Sequence, residues 1–328
     1  MQPEGFKVTK PLKVGVVGVG HLGKEHARIY RDLSEAELVG ISDLDPAKED
    51  KAKELGTVYY KDFRDLIGKV DAVSIATPTS THYAVAKEFL KAGIHVLVEK
   101  PITLRLREAD ELIKLSRKHS CTLQVGHIER HNPAFKRVRE IAKNIRFLEI
   151  HRLGPFTGRI NDCGVVLDLM IHDLDIVLGL VDSPFEHFDA IGVNVLTPFE
   201  DIANVRLKFK NGTIANITAS RLTFEKQRKI RIFQEDAYIS LDYGAQTGKI
   251  IRKTGNEVLQ EDISIEKAEP LKEELKSFLN GISTGTSIGK PDVAARNALA
   301  IALKIAEVIQ KNHPKPSASL QSPNSKIQ

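Results

Sequence analysis

The sequence predicts an α/β protein in two parts: a doubly wound parallel sheet, then an α+β unit built on a large, mostly antiparallel sheet. Three observations carry this. Lys13-Val14-Gly15-Val16-Val17 is an apolar run of strand length that leads into glycines spaced G-x-G-x-x-G at Gly18, Gly20 and Gly23, and Lys24–Leu33 then reads as a helix. Short apolar strands alternate with helical stretches from there to Val125, the pattern of parallel strands covered on both faces. From Phe185 the pattern changes to consecutive alternating strands, with Asn211-Gly212 between two of them as a hairpin signal.

The opening strand, turn and helix predict a Rossmann-type dinucleotide site. Gly18 would allow the tight turn, Gly20 the approach of a pyrophosphate, and Gly23 close packing of helix on strand, with His21 and Leu22 completing the cradle. The pyrophosphate would rest on the positive end of the helix. Glu37–Ser42 is the second strand and ends at Asp43, twenty residues beyond Gly23. A carboxylate there accepts both hydroxyls of an adenosine ribose and repels a 2′-phosphate, so NAD is the expected cofactor. Asp43-Leu44-Asp45-Pro46 also has the form of a helix start.

A helix over Pro46–Leu55, a strand at Val58–Tyr60 and a short helix over Asp62–Gly68 follow. The strand Asp71–Ala76 runs into a hydroxyl-rich loop, Thr77-Pro78-Thr79-Ser80-Thr81-His82, ahead of a helix to Ala92. His95–Val98 is a strand ending in Glu99-Lys100-Pro101, and both this tripeptide and the Thr77–His82 loop fall at the carboxyl edge of the sheet, where ligands lie. Lys100 at that edge is aimed at the cofactor cleft, where its ammonium could hold a substrate hydroxyl. A helix over Leu104–His119 and a strand at Thr122–Val125 complete the first half.

In the second half, Asn132 caps a helix with Pro133 at its first position, and Ile145–Arg152 is a strand. A loop carrying Arg159 leads into Val165–Val177, helical in pattern and apolar except for Asp168, His172, Asp173 and Asp175. Asp168 and His172 are four apart and would share one helix face. A carboxylate beside the imidazole would raise its basicity, which suits His172 as a general base. The strands after Phe185 imply an outer sheet face with alternating apolar residues, which a homodimer or homotetramer would cover. Helices are expected at Glu269–Asn280 and Asp292–Lys311, and the Pro/Ser/Asn/Lys-rich residues 313–328 read as disordered. The implied domains are 1–127, 128–312 and that tail.

The chain of 328 residues is long enough for two cores, and 41% apolar with 28% charged residues is ordinary globular composition. A net charge of +5 fits an anionic ligand, but no arginine-rich arm or zinc-finger spacing points to nucleic acid. Two cysteines, Cys121 and Cys163, make neither a disulfide framework nor a metal set. With no membrane-span run and no signal-type apolar segment, a cytoplasmic protein without metal is expected.

With Gly18-Val19-Gly20-His21-Leu22-Gly23, Glu99-Lys100-Pro101 and Asp168-x-x-x-His172 in this order, the chain resembles the glucose-fructose oxidoreductase / inositol dehydrogenase family over residues 12–311. The resemblance implies that Lys100 contacts substrate and nicotinamide, that His172 is the base, and that Asp168 orients the reacting hydroxyl. It also implies Thr77, Pro78, His82 and Glu99 along the cofactor. Within the family, Gly126–Pro133, Gly164–Asp168 and Arg231–Tyr238 look most like the dehydrogenases that oxidise C3 of UDP-N-acetylglucosamine with NAD, a step that usually precedes an aminotransferase making a 3-amino sugar. Such a substrate needs cations for its diphosphate, and Arg130, Arg152 and Arg159, with Asn132, are the candidates. An inositol or free-sugar dehydrogenase, or a catalytically silent NAD sensor on the same fold, are the rival readings.

Overall fold

The computed structural model of the chain describes residues 10–158, 163–255, 257–289 and 292–312. Arg159 and the segment 313–328 lie outside the described residues, so the readings made of them have no structural counterpart. The first sheet is built from β1 (Leu12–Val17), β2 (Ala36–Ser42), β3 (Val58–Tyr60), β4 (Ala72–Ile75), β5 (His95–Glu99) and β6 (Leu123–Gly126). Its order is β3-β2-β1-β4-β5-β6, with every neighbouring pair parallel. The chain connects them through α1 (Gly23–Asp32), α2 (Glu49–Leu55), α3 (Thr79–Lys91) and α4 (Leu106–Lys118). Strand order reverses between β1 and β4, so their carboxyl ends open a crevice.

Two local readings change. The hydroxyl-rich stretch before His82 is not all loop: α3 starts at Thr79, so Thr79–His82 form its first turn. The short helix expected over Asp62–Gly68 is a tight 3₁₀ turn, Phe63–Leu66, because the Asp62 carboxylate accepts from Arg64 N at 2.9 Å and fixes the turn at its start.

The second half opens with α5 (Pro133–Ile141), capped as expected by Asn132 Oδ1, which accepts from Ala134 N at 3.0 Å. Then come β7 (Phe147–Leu153), α6 (Ile171–Leu180), β8 (Phe185–Val193), β9 (Ile202–Phe209), β10 (Ile214–Ser220), β11 (Gln227–Phe233), β12 (Ala237–Asp242), β13 (Thr247–Thr254), β14 (Glu257–Asp262), α7 (Pro270–Ser283) and α8 (Val293–Asn312). The eight-stranded sheet runs β14-β13-β12-β11-β7-β10-β9-β8, antiparallel throughout except for the parallel pair β7 and β10. The Asn211-Gly212 turn joins β9 to β10, with Gly212 at φ +85°.

Alternation sends Leu148, Ile150, Val205, Leu207, Ile230 and Ile232 inward against α6 and α8. The opposite face carries Glu149, His151, Asn204, Arg206, Lys208 and Thr218, with an aromatic group of Phe147, Phe233 and Tyr238. That outer face is therefore more polar than the sequence reading expected, because the apolar members of each strand all share the inner side.

The last two helices return to the first sheet. Leu271, Leu275, Phe278 and Leu279 of α7 join Val14, Val16, Ala27 and Tyr30 in one apolar cluster. Ahead of α8, Gly289 N donates to Cys121 O at 3.2 Å and Asp292 N to Leu123 O at 3.0 Å, along the side of β6 away from β5. Arg296 of α8 then pairs with Asp110 of α4 at 2.8 Å.

Candidate active site

The glycine turn meets three separate demands. Gly18 has φ +83°, a Cβ on Gly23 would fall 1.8 Å from Gly18 O, and a Cβ on Gly20 would meet nothing within 4 Å. So Gly18 and Gly23 are fixed by the fold, and Gly20 leaves its open side to a ligand. Asp43 stands over the turn: one carboxylate oxygen accepts from Val19 N at 2.8 Å and the other from Asp45 N at 3.0 Å. Beside it lies a cavity of about 840 Å³ lined by Gly18, Gly20, Asp43, Thr77, Pro78 and Thr81. A positive-φ turn, an open backbone, a carboxylate at the end of β2 and a cavity of ligand size fit a dinucleotide.

Two residues expected along the cofactor are buried and paired within the protein. His82 is buried, with Nδ1 2.9 Å from Pro101 O and Nε2 2.9 Å from Thr77 O, so its ring braces the Thr77 turn against the Lys100 loop. A neutral ring donates to one of these carbonyls at a time, and burial holds its pKa below the usual value. Glu99 is also buried: Lys100 N donates to Oε2 at 3.2 Å, and His26 Nε2 of α1 lies 3.1 Å from Oε1. Burial alone would push its pKa up, but His26 and Lys100 outweigh that and leave it lowered.

At the end of β5, just before the cis Lys100-Pro101 bond, Lys100 Nζ donates to Asp168 twice: to the main-chain O at 2.8 Å and to Oδ1 at 3.1 Å. Asp168 is not in an ordinary α-helix. Val166–Met170 is a π-turn that widens the start of α6. Such turns recur at functional sites. Glu200 supports its start, since Val166 N donates to Glu200 Oε1 at 3.1 Å and Val165 N to Glu200 O at 2.9 Å. A Cβ on Gly164 would fall 2.0 Å from that carboxyl group, so a side chain there would have to displace Glu200.

His172, one turn on, is 9% exposed. Its Nδ1 is sealed and has no hydrogen-bond partner, which leaves Nε2 as the nitrogen that can meet a ligand. His127 packs against it edge-on at 5.9 Å. The expected rise in basicity does not occur. Burial, then Lys100, Arg152, His127 and Arg228, push the His172 pKa well below the usual imidazole value. The neighbouring carboxylates are committed to cations: Asp168 to Lys100, Asp173 to Arg152, and Asp175 to Arg130.

The same kind of pairing engages the residues expected to hold a diphosphate. Arg152 is buried, donating from Nε to Asp173 at 2.9 Å and from Nη1 and Nη2 to Glu129 at 3.2 Å each, with its guanidinium 5.3 Å from the Tyr243 ring centre. Arg130 bridges Asp175 and Asp292, with Nη1 2.7 Å from the latter. Asn132 is buried, its Nδ2 donating to Tyr243 O at 2.9 Å. These three side chains are engaged with partners inside the protein. A signal for Arg152 was there: it falls on the Leu148/Ile150 side of β7, which points inward. No local pattern marked Glu129, Tyr243, Glu200 or the His127 contact.

This constellation, a dinucleotide cradle facing a lysine, a carboxylate and a neutral imidazole, defines an NAD-binding oxidoreductase. Residues 12–127 match the profile described as an oxidoreductase family with an NAD-binding Rossmann fold, and residues 149–240 match the GFO/IDH/MocA C-terminal domain. The chain belongs to the GFO/IDH/MocA family of oxidoreductases. It is 38% identical to UDP-N-acetylglucosamine 3-dehydrogenase of Acidithiobacillus ferrooxidans over 307 residues, 91% of this chain and 97% of that one. A solved structure of that enzyme superposes with a TM-score of 0.86, covering 92% of this chain and 98% of the other. Myo-inositol 2-dehydrogenase of Thermotoga maritima is 29% identical, with 84% of this chain and 89% of the relative covered. Levoglucosan dehydrogenase solved with NADH and levoglucosan shares the fold at a TM-score of 0.82 and 19% identity, over 92% of this chain and 98% of that one. Among the described residues no helix is long and apolar enough to cross a membrane, and no cluster of side chains could hold a metal ion.

Proposed function

We propose that this protein oxidises the C3 hydroxyl of UDP-N-acetylglucosamine to a ketone, using NAD. The observation that carries the chemistry is a buried imidazole with one reachable nitrogen beside the Lys100–Asp168 pair, at the carboxyl edge of the cofactor sheet. NAD held by the Gly18–Gly23 turn and Asp43 would supply the hydride acceptor for the sugar carbon. His172 Nε2 takes the hydroxyl proton, so the alcohol becomes a ketone as the imidazole becomes imidazolium. Lys100 holds the substrate oxygen by its ammonium, and Asp168 fixes that ammonium and orients the hydroxyl. Burial and the nearby cations lower the His172 pKa and so keep the ring neutral, and able to accept a proton, below the ordinary imidazole range.

The choice of sugar rests on the 38% identity to the Acidithiobacillus ferrooxidans enzyme over nearly the whole chain. An inositol or free sugar is the second reading, favoured by the commitment of Arg130 and Arg152 to carboxylates. The test is NADH formation at 340 nm with UDP-N-acetylglucosamine, myo-inositol and glucose, with the keto position of the product mapped. Replacing His172 or Lys100 by alanine is expected to lower turnover roughly 100-fold or more while NAD still binds. Turnover at the wild-type rate in either variant would sink the assignment. The remaining expectations, a cytoplasmic homodimer or homotetramer joined through the large sheet, call for light scattering. The Phe147/Phe233/Tyr238 group on the outer face is the feature that supports such a contact.

A further inference from the structure

Once Arg130 and Arg152 are committed to carboxylates, an anionic substrate needs another cation at the site mouth. One stands next to Arg152 in the sheet. Arg228 of β11 is directly cross-strand from Arg152 of β7, so it shares the inner face that looks towards α6. Its positive charge is one of those that act on His172. Arg152 is buried, whereas the Arg228 side chain is 52% exposed. Its nearest carboxylate is Glu129, 3.8 Å from Nη1, beyond hydrogen-bond length and already accepting from both Arg152 Nη atoms. Among the described residues no hydrogen bond engages the Arg228 guanidinium, so its donor fork is open at the rim of the site.

The loop just before Arg228 has a matching peculiarity. Phe224 is 101% exposed, as if nothing in the chain touched its ring. Lys226 lies between the two, packed over Gly154 at the end of β7, and Thr223 N donates to Gly154 O at 3.2 Å. That bond pins the loop beside the strand that carries Arg152. An uncovered aromatic ring, a lysine and an uncommitted guanidinium thus follow one another along a single segment that leads into the strand beside Arg152, and the last of them is close enough for its charge to act on His172.

We infer that Phe224, Lys226 and Arg228 form the subsite for the nucleoside diphosphate half of the substrate. Arg228 grips the diphosphate through its planar fork, Lys226 adds charge, and Phe224 offers a stacking face to the base. This assignment rests on the nucleotide-sugar reading above. It puts the anion outside the buried Arg152–Asp173–Glu129 network and leaves the sugar to reach inward to Lys100 and His172.

The test measures KM for UDP-N-acetylglucosamine and the competitive inhibition constant of UDP alone, in the wild type and in Arg228→Gln, Arg228→Lys and Phe224→Ser. Loss of a charge-assisted contact to phosphate predicts that both constants rise about 10-fold or more in Arg228→Gln, with partial recovery in Arg228→Lys and NAD affinity as in the wild type. Phe224→Ser should raise the UDP constant several-fold. UDP inhibition equal to wild type in Arg228→Gln overturns the subsite even if the enzyme is a nucleotide-sugar dehydrogenase. A wild type that turns over only inositol or free sugars overturns the substrate reading and the subsite together. A Phe224→Ser protein of altered oligomeric mass but unchanged UDP constant assigns that ring to a subunit contact and removes it from the subsite.

Discussion

Lys100 acts on its surroundings twice, as a donor to both oxygen types of Asp168 and as a charge that opposes protonation of His172. The second effect has a sign that can be checked. Because the His172 pKa is depressed, the base stays competent as pH falls below about 6.5, and the acid limb of kcat/KM should lie beneath the ordinary imidazole range. In Lys100→Met the strongest opposing charge is gone, and only burial and the remaining cations oppose protonation. The His172 resonance, followed by NMR with labelled histidine, should then titrate at higher pH than in the wild type; an unchanged or lower midpoint would contradict this. At this scale the sequence was informative about identity and poor about environment. Lys100 stood out by its place at the end of a strand, Asp168 and His172 by their spacing, and their expected roles came from the family resemblance. That every nearby carboxylate had a cationic partner could not, because Arg130, Arg152 and Lys100 arrive from three other elements.

The element that most departs from its sequence pattern is the start of α6. Val166-Leu167-Asp168-Leu169-Met170 suits an α-helix and a π-turn equally, so nothing local distinguishes them. The wide turn coincides with contacts made from far along the chain: Glu200 at its first N–H groups and Lys100 on the Asp168 carbonyl. Gly164 is the hinge of that arrangement, because the Glu200 carboxyl group occupies the volume a side chain would need. Gly164→Ala should therefore cost about 1–3 kcal/mol of stability and dislodge the Glu200 cap. The expected reading is a lower Tm together with a larger fall in kcat than in NAD affinity; a variant with wild-type Tm and kcat would show that the cap does not hold Asp168. The parallel strands and the β9–β10 hairpin, by contrast, were legible in full, because apolar runs and an Asn-Gly turn are local signals.

For the molecule as a whole, histidines make acid the vulnerable direction. His82, His127 and His172 are buried with lowered pKa values, and burial brings His131 down to about 4. In the unfolded chain each takes up a proton near pH 6.5, which the native state refuses. The stability they contribute is complete above about pH 6.5 and falls as pH drops towards 4, by up to about 1.4 kcal/mol per pH unit for each. Urea midpoints should fall steeply between pH 6.5 and 4, and a flat profile there would argue against neutral native imidazoles. Less legible in the sequence was how the two halves share their helices, since an amphipathic stripe does not say which sheet it covers. The apolar stripe of α7 rests on β1 and α1, and the stretch before α8 borders β6. The nucleotide-binding half is thus finished by chain that arrives last. A chimera that joins this cofactor domain to another member's substrate sheet by one cut near residue 127 would leave the α1 face bare and the β6 edge open; α7 and the stretch that borders β6 would have to travel with 10–127, while α8 stays with the sheet it covers, so the exchange needs more than one junction.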